Sequence, residues 1–429
     1  MFGQFNIGIY LLATIALFVD LLDVLLRLYL RRELTLPGDS RTVPPTSVPL
    51  NIGSFTPYEA RLHLRPYAIV VSVHNLDRTS MDRFLDNMAP YRGHLWIIDD
   101  ASSDDTWERL QASGVQCVRS ENNRKKPAAI KALVGMLPRS VESVVVVDPD
   151  VRIRNDVAEF EKVIFEFQRT GMAALCPRIT IRPDGLLSRL QHLEYCFSFT
   201  LGRKSLGDMT ITSGIAVYRR DALERVLMRH SLSVYAEDLE NGLLLLLAGE
   251  RLYYDGRLVV ETDGPREVRS LFSQRVGWSF GLIKVYAAYW REMLQESRRG
   301  FLFTYQYLIY MGVLVLLLHP LKLVGLALLV ISALNGIDNL THLRAIPDTA
   351  LTSSMYCVVM YFKYTALTLF AVPFVTPRGE RLYVLPVIPA YVFYGIAQVV
   401  PATVGYLNWI GLRTVGRRVY RDHYQRVAP

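Results

Sequence analysis

Cysteine is scarce in this 429-residue chain: Cys117, Cys176, Cys196 and Cys357 are scattered, with no paired spacing. That scatter excludes a zinc-finger pattern and a disulfide framework. No internal repeat is visible, which excludes solenoid and propeller arrays. The formal charge is +8, yet no basic-aromatic surface motif accompanies it, so no nucleic-acid partner is expected. The first apolar run lacks a small-residue cleavage site, and its basic residues follow rather than precede it. A cleaved signal peptide is therefore not the reading.

What is present is apolar in bulk, with 51% hydrophobic residues and a mean hydropathy of +0.20. That is high for a soluble enzyme and low for a pure transporter. Length suggests two or three domains, part membrane and part water-soluble. Phe5 to Leu30 is long enough to span ~30 Å of hydrocarbon, with Asp20 and Asp23 near its C-terminal end. Arginines crowd the ends of apolar segments, in "LRLYLRRE" from Leu26 and in the tail from Arg413 to Arg426, as on cytoplasmic flanks of membrane helices. Residues 1–35 are read as an N-terminal transmembrane anchor, and 36–65 as a linker containing a Pro-, Thr- and Ser-rich stretch.

From Tyr67 short β-rich runs alternate with helical stretches. "YAIVVSVHN", "HLWIIDD", "VQCVRS", "SVVVVDPD" and "MAALCPRIT" read as buried parallel strands. "SMDRFLDNMAPY", "DTWERLQAS" and "PAAIKALVGML" read as the helices between them. The alternation predicts an α/β domain on a mostly parallel sheet, with ligands at the C-terminal strand ends. After Arg299 the apolar runs return. Phe301 to Leu318 and Leu321 to Ile337 suggest a hairpin of membrane helices about His319 and Pro320. Met355 to Val372 follows, and then Leu382 to Leu412, broken by Pro386, Pro389 and Pro401 and read as a second hairpin.

Acidic clusters fall where strands stop. Asp99 and Asp100 follow the second strand, and their carboxylates suit the N–H of a base or the hydroxyls of a sugar. Asp148 and Asp150 end the four-valine strand. In an extended D-x-D, side chains two apart point the same way, and an oxygen-only pair suits Mg²⁺ or Mn²⁺ bridging phosphate oxygens. Lys125 and Lys126, at a helix start, add positive charge suited to a nucleotide or diphosphate. Glu237 and Asp238 open a further helix, where a carboxylate can act as a general base. A helix N-terminus lowers its pKa, so burial has to offset that.

In this order the segments resemble the processive family 2 glycosyltransferases, the group of cellulose, chitin and hyaluronan synthases. The resemblance covers about residues 66 to 380. "IIDDASSDDT" is similar to the family's V-D-D-G-S-x-D-x-T, with Ala101 in the Gly position. "NRKKPAAIKA" is similar to N-x-G-K-x-x-A-x-N, with Lys125 in the Gly position. "DPD" matches D-x-D, "TSGIAVYRRDAL" the acceptor-side segment, and "AEDLENGLLLLLAGERLYYD" the T-E-D segment with Ala236 for Thr. "SQRVGWSFG" is similar to Q-x-x-R-W, keeping Gln274 and Trp278 but with Gly277 for the Arg. "PFVTPRGE", Pro373 to Glu380, resembles the F-x-V-T-x-K-G gating loop.

The resemblance implies a GT-A domain over residues 66–290, inserted between transmembrane helices, with residues 291–429 forming transmembrane and interfacial helices. It implies a nucleotide-sugar donor, held by Asp99 or Asp100, Lys126, Asp148, Thr376 and Arg378, with a divalent ion on Asp150 and Asp148. Asp238, beside Glu237, would deprotonate the acceptor hydroxyl with inversion. Gln274 and Trp278 would contact the acceptor, and Arg275 is the candidate replacement for the missing diphosphate contact. The expected protein is an integral membrane enzyme, at the plasma membrane with its catalytic domain cytoplasmic, that polymerises a sugar and exports the chain. Transfer to a membrane lipid and a catalytically weak scaffold are the alternatives; homo-oligomers are a further expectation.

Overall fold

The computed structural model describes residues 56–203, 215–296, 303–320 and 348–426, together with the isolated helical positions 25–26, 323–324, 327, 331 and 334. The expected anchor 1–35, apart from residues 25–26, positions 36–55 of the expected linker 36–65, and most of 321–337 lie outside the described residues, while Pro57–His63 of that linker is a helix.

The valine-rich runs do form strands: β1 (Tyr67–Val73), β2 (Leu95–Asp99), β3 (Gln116–Arg119), β4 (Ser143–Val146) and β6 (Ala174–Ile181). Three more join them, β5 (Val151–Ile153), β7 (Ala216–Arg219) and β8 (Leu252–Thr262), in the spatial order β3-β2-β1-β4-β7-β6-β8-β5. β1, β2, β3 and β4 are parallel to their neighbours within that group. β7 runs antiparallel to β4 and β6, and β5 antiparallel to β8. β6 and β8 pair in parallel, so the sheet is mixed, with four parallel and three antiparallel pairings. β3 is also not a buried strand. It forms an edge, and all four of its side chains are exposed or half-exposed.

Alternation along β1 assigns the two cores. Ala68 and Val70 face the helices Lys126–Met136, Arg220–Arg229 and Glu237–Leu247. Ile69 and Val71 face the helices Arg78–Met88 and Val157–Thr170. Side chains two apart share a face, so each strand feeds both layers. The sheet order reverses direction at β1 and β4, and such a switch point opens a crevice beyond the C-terminal strand ends.

The helix Val268–Glu296 stays on this domain, with Val285, Tyr286 and Met293 in its core, and also packs along Val399–Thr414. The approach is close because position 405 has no side chain: a Cβ there would lie 2.7 Å from Ser279 Cβ. The expected span Phe301 to Leu318 is docked on the domain near its start, while Ile309, Val313 and Leu317 further along are exposed. Its described helix is Thr304–Leu317, and Phe303 and Tyr307 are buried in the domain core, with Tyr286 donating to the Tyr307 carbonyl at 3.0 Å. Arg378–Thr414 is the one helix among the described residues long and apolar enough to cross a membrane. The expected hairpin over Leu382 to Leu412 is not formed. Gln398, between the two longer helical pieces, keeps helical dihedrals (φ −65°, ψ −18°), so the chain continues instead of reversing. Its outer face is apolar and open, with Leu382, Phe393 and Val400 exposed.

Candidate active site

β1, β2 and β4 each end at the crevice. After β1, His74 Nδ1–H donates to the Asp100 carbonyl (2.9 Å), and its Nε2 accepts from the Asn123 side-chain amide (3.1 Å). After β2 the two aspartates separate. Asp99 is fully buried, bonded to Ser102 and ion-paired with Arg119 at 3.2 Å. Its carboxylate holds the loop. Asp100 instead accepts from the Arg124 amide at 2.8 Å and lines a cavity of about 240 Å³ with His74, Asn123, Lys125, Lys126 and Glu237.

Several non-glycine positions around the site adopt a left-handed φ, Asn75 and Ala236 among them, and so do Ala101 at +58° and Lys125 at +69°. The last two are the places where the sequence carries another residue in a glycine position of the family pattern. Surrounding bonds hold the conformation. Asn75 N–H donates to Ser102 Oγ at 2.9 Å, and Lys125 N–H to Asn123 Oδ1 at 3.1 Å.

Lys126 is the hub. Its Nζ lies 2.6 Å from Asp148 Oδ1 and 2.7 Å from Glu237 Oε1. Burial pushes Asp148 up to about 6, reinforced by Asp150 and Glu237 and opposed by Lys126. Asp238 is likewise pushed up to about 6, by burial and then by the charge of Glu237, against the Leu239 amide that donates to it at 2.8 Å. Burial does here offset the helix N-terminus. Asp238 lines a smaller space on the far side of Lys126 and Glu237. The turn that presents these carboxylates is anchored from behind by Glu240, which is buried and accepts from Ser231 and Tyr289, each at 2.7 Å.

Asp150 is exposed and accepts from Thr262 at 2.9 Å. Asp148 and Asp150 offer an oxygen-only pair but, among the described residues, no third protein carboxylate that closes a cage. That suits a hard ion such as Mg²⁺, which takes one or two carboxylates and completes its shell with phosphate and water oxygens.

The other sequence-derived candidates lie elsewhere. Thr376 is buried, and its N–H donates to the Val372 carbonyl; Arg378 is exposed. Their segment is tied to the domain by Glu380, which pairs with Arg178 at 2.9 Å and His192 at 3.2 Å. Neither lines the cavity of Asp100 and Lys126. Gln274 is half-buried on the helix Val268–Glu296. Arg275 is buried against Glu194 (2.7 Å), lies near the Tyr394 hydroxyl (3.4 Å), and stacks on Trp278 at 4.2 Å. It therefore joins the helix Val268–Glu296 to the apolar helix Arg378–Thr414.

Sequence reasoning missed His74, Asn123 and, above all, His423 and Tyr424, which wall the cavity from the C-terminal tail. The tail had been read only as a basic flank. Its cluster of two tyrosines and a histidine within Tyr420–Tyr424 was the available signal.

A mixed sheet, parallel in four of its seven pairings, with a lysine among carboxylates at its strand ends is a GT-A-like α/β fold. Residues 69–227 match the family model described as Glycosyl transferase family 2. The whole fold is similar to the mannosyltransferase PcManGT from Pyrobaculum calidifontis, solved in complex with GDP-Man and Mn²⁺. The TM-score is 0.59 at 17% identity, over 94% of this chain and 98% of that chain. Glucosyl-3-phosphoglycerate synthase from Mycobacterium tuberculosis, solved with UDP, matches over 55% of this chain and 84% of its own, at 17% identity and TM-score 0.34. No curated protein matches the sequence.

Proposed function

We propose that this protein is a membrane-bound glycosyltransferase that passes a sugar from a nucleotide-sugar donor to a lipid-borne acceptor, with inversion at the anomeric carbon. The observation that carries the reading is Lys126 bridging Asp148 and Glu237 beside Asp238, a carboxyl held near pH 6. At neutral pH such a group is ionised, and its raised basicity favours taking the proton of an attacking hydroxyl. Asp148 and Asp150 would hold Mg²⁺ or Mn²⁺, which supplies Lewis-acid stabilisation of the leaving diphosphate when bound. Lys126 orients the carboxylates, and Asp100 and Asn123 line the place for the nucleoside.

The acceptor side supports a lipid. Trp278 is partly exposed, and Arg275 beneath it reaches Tyr394 on the apolar helix, so the acceptor lip is joined to the membrane-facing surface. A processive synthase is the second reading, favoured by the docking of the 373–380 segment through Glu380 onto Arg178.

The test is a screen of UDP- and GDP-sugars with Mn²⁺ and membrane lipid extract, following nucleotide release and product size. A single-sugar lipid is expected, and a long glycan would establish the second reading. Asp238→Asn should lower transfer by ~10²–10⁴-fold while leaving donor binding intact. Transfer by the native enzyme should fall as pH drops through about 6, because the base is then protonated. Full activity of Asp238→Asn would refute the base assignment.

A further inference from the structure

The one position where the acceptor-side motif loses its charge is also the position where the C-terminal tail enters the site. A Cβ on Gly277 would lie 3.0 Å from His423 Cε1 and 3.1 Å from Tyr424 Cδ2. Any side chain there would push the tail away. With glycine, both rings reach the cavity shared by Asp100, Asn123, Lys126 and Glu237.

The tail is held as a fixed part of the fold. Asn408 is fully buried and forms two hydrogen bonds with the Tyr420 backbone, at 2.9 and 2.8 Å. Asp422 is also fully buried, accepting from the Tyr235 hydroxyl at 2.9 Å and pairing with Arg418 at 3.1 Å. The Arg418 guanidinium lies over the rings of Tyr235 and Phe280, at 4.7 and 4.2 Å. His423 Nδ1 meets the Ser273 carbonyl at 3.3 Å, and Tyr424 packs edge-on against Tyr235 with centroids 4.8 Å apart. Tyr235 immediately precedes the turn that carries Glu237 and Asp238. A loosely draped plug would not have two fully buried polar anchors.

We propose that the C-terminal segment Arg418–Arg426 is a wall of the donor site, in which His423 and Tyr424 contact a bound nucleoside diphosphate in place of the side chain absent at Gly277. The proposal deepens the glycosyltransferase reading and rests on it. Burial holds His423 below the usual histidine range, so at neutral pH it offers a neutral imidazole. Its Nδ1–H is directed to the Ser273 carbonyl, which leaves Nε2 as the acceptor. The Tyr424 hydroxyl sits in the field of Glu237, Lys126, Asp238 and Asp148 and can donate to a phosphate or sugar oxygen. The site would thus set a neutral acceptor, His423 Nε2, for a ribose hydroxyl or base N–H, and a neutral donor, Tyr424, for a phosphate oxygen, where the family pattern has a guanidinium.

The experiment measures binding of UDP, GDP, CDP and ADP with Mn²⁺ to the detergent-solubilised full chain and to Tyr424→Phe, His423→Ala and Gly277→Ala. Tyr424→Phe keeps the ring packing and removes only the hydroxyl, so it isolates the contact from folding. It should weaken binding of the preferred nucleotide ~3–10-fold, the scale of one neutral hydrogen bond, with an unchanged unfolding midpoint. His423→Ala should show a similar loss. Gly277→Ala should weaken binding too, and its effect should be less than additive with His423→Ala, since both act on the same contact. Unchanged or tighter binding in Tyr424→Phe and His423→Ala, alongside a native chain that binds nucleotide, would overturn the tail's role. A native chain that binds none of the four would overturn the glycosyltransferase reading itself, and this proposal with it.

Discussion

Replacing Lys126 with Met removes the one cation that touches both Asp148 and Glu237. The two bonds, at 2.6 and 2.7 Å, join side chains that are 15–29% exposed. A hydrogen bond to a charged group contributes ~1.5–3 kcal/mol. Partial exposure argues for the lower end, so the pair is worth ~3 kcal/mol. The loss depends on pH, and its sign follows from the raised carboxyls. Asp148 and Asp238 titrate near 6 in the fold, above the ~3.9 of an unfolded aspartate. The native state therefore binds more protons between those values, and its stability falls as pH rises through that window. At pH 7.5 the variant leaves three carboxylates facing one another without a counter-charge. At pH 5 the two aspartates are largely protonated and less is lost. Thermal unfolding in detergent, with divalent ions chelated, should show a drop of ~6–12 °C at pH 7.5 and less than half of that at pH 5. Adding Glu237→Gln to Lys126→Met should restore part of the loss at pH 7.5. An equal drop at both pH values, with no recovery in the double variant, would refute the electrostatic account of this site.

Two further outcomes concern the backbone that carries the site. Ala101→Gly relieves a left-handed residue that costs ~1–2 kcal/mol but adds ~0.5–1 kcal/mol of unfolded-chain entropy. The net expectation is a gain of ~0.5–1 kcal/mol, read as a rise in the unfolding midpoint with nucleotide binding unchanged; a fall would show that Ala101 is not strained. Gly281→Ala places a Cβ 2.8 Å from Ala236 Cβ and 2.9 Å from Ala236 N. Such overpacking costs ~1–3 kcal/mol, and because Ala236 directly precedes Glu237 and Asp238, transfer activity should fall more than tenfold while nucleotide affinity changes little. Normal stability with normal activity would show that the helix Val268–Glu296 does not set the position of that turn.

The region of β1 to β4 with its acidic strand ends was legible because its signals are local. A valine-rich strand followed by Asp148 and Asp150 carries both its element type and the proposed ion-holding pair within eight residues. Lys126, Glu237 and Asp238 likewise announce themselves at helix starts. The antiparallel pairings were not legible, since β5 has only three residues and β7 four, and those pairings span up to 111 positions, as from Val151 to Thr262. The roles of Asp99 and Asp100 could not be separated from sequence either. Adjacent residues at a strand end point to opposite sides, and only the fold shows which side holds Arg119 and which the cavity.

The departures from the family pattern divide into two physical kinds. At Ala101 and Lys125 the chain keeps the left-handed backbone that glycine serves and tolerates a side chain there. The departure leaves the geometry intact at a cost in strain. Gly277 does the reverse: it gives up a side chain, and the vacated space is taken by His423 and Tyr424 from 146 and 147 positions further along the chain. A loss of this kind is not a weakened site if another segment fills it. Asp422, fully buried beneath those rings, has no reason to be in an apolar setting except to fix Tyr235 and Arg418, and through them the tail. The missing charge at position 277 is thus the sequence trace of a cavity wall built from the far end of the chain.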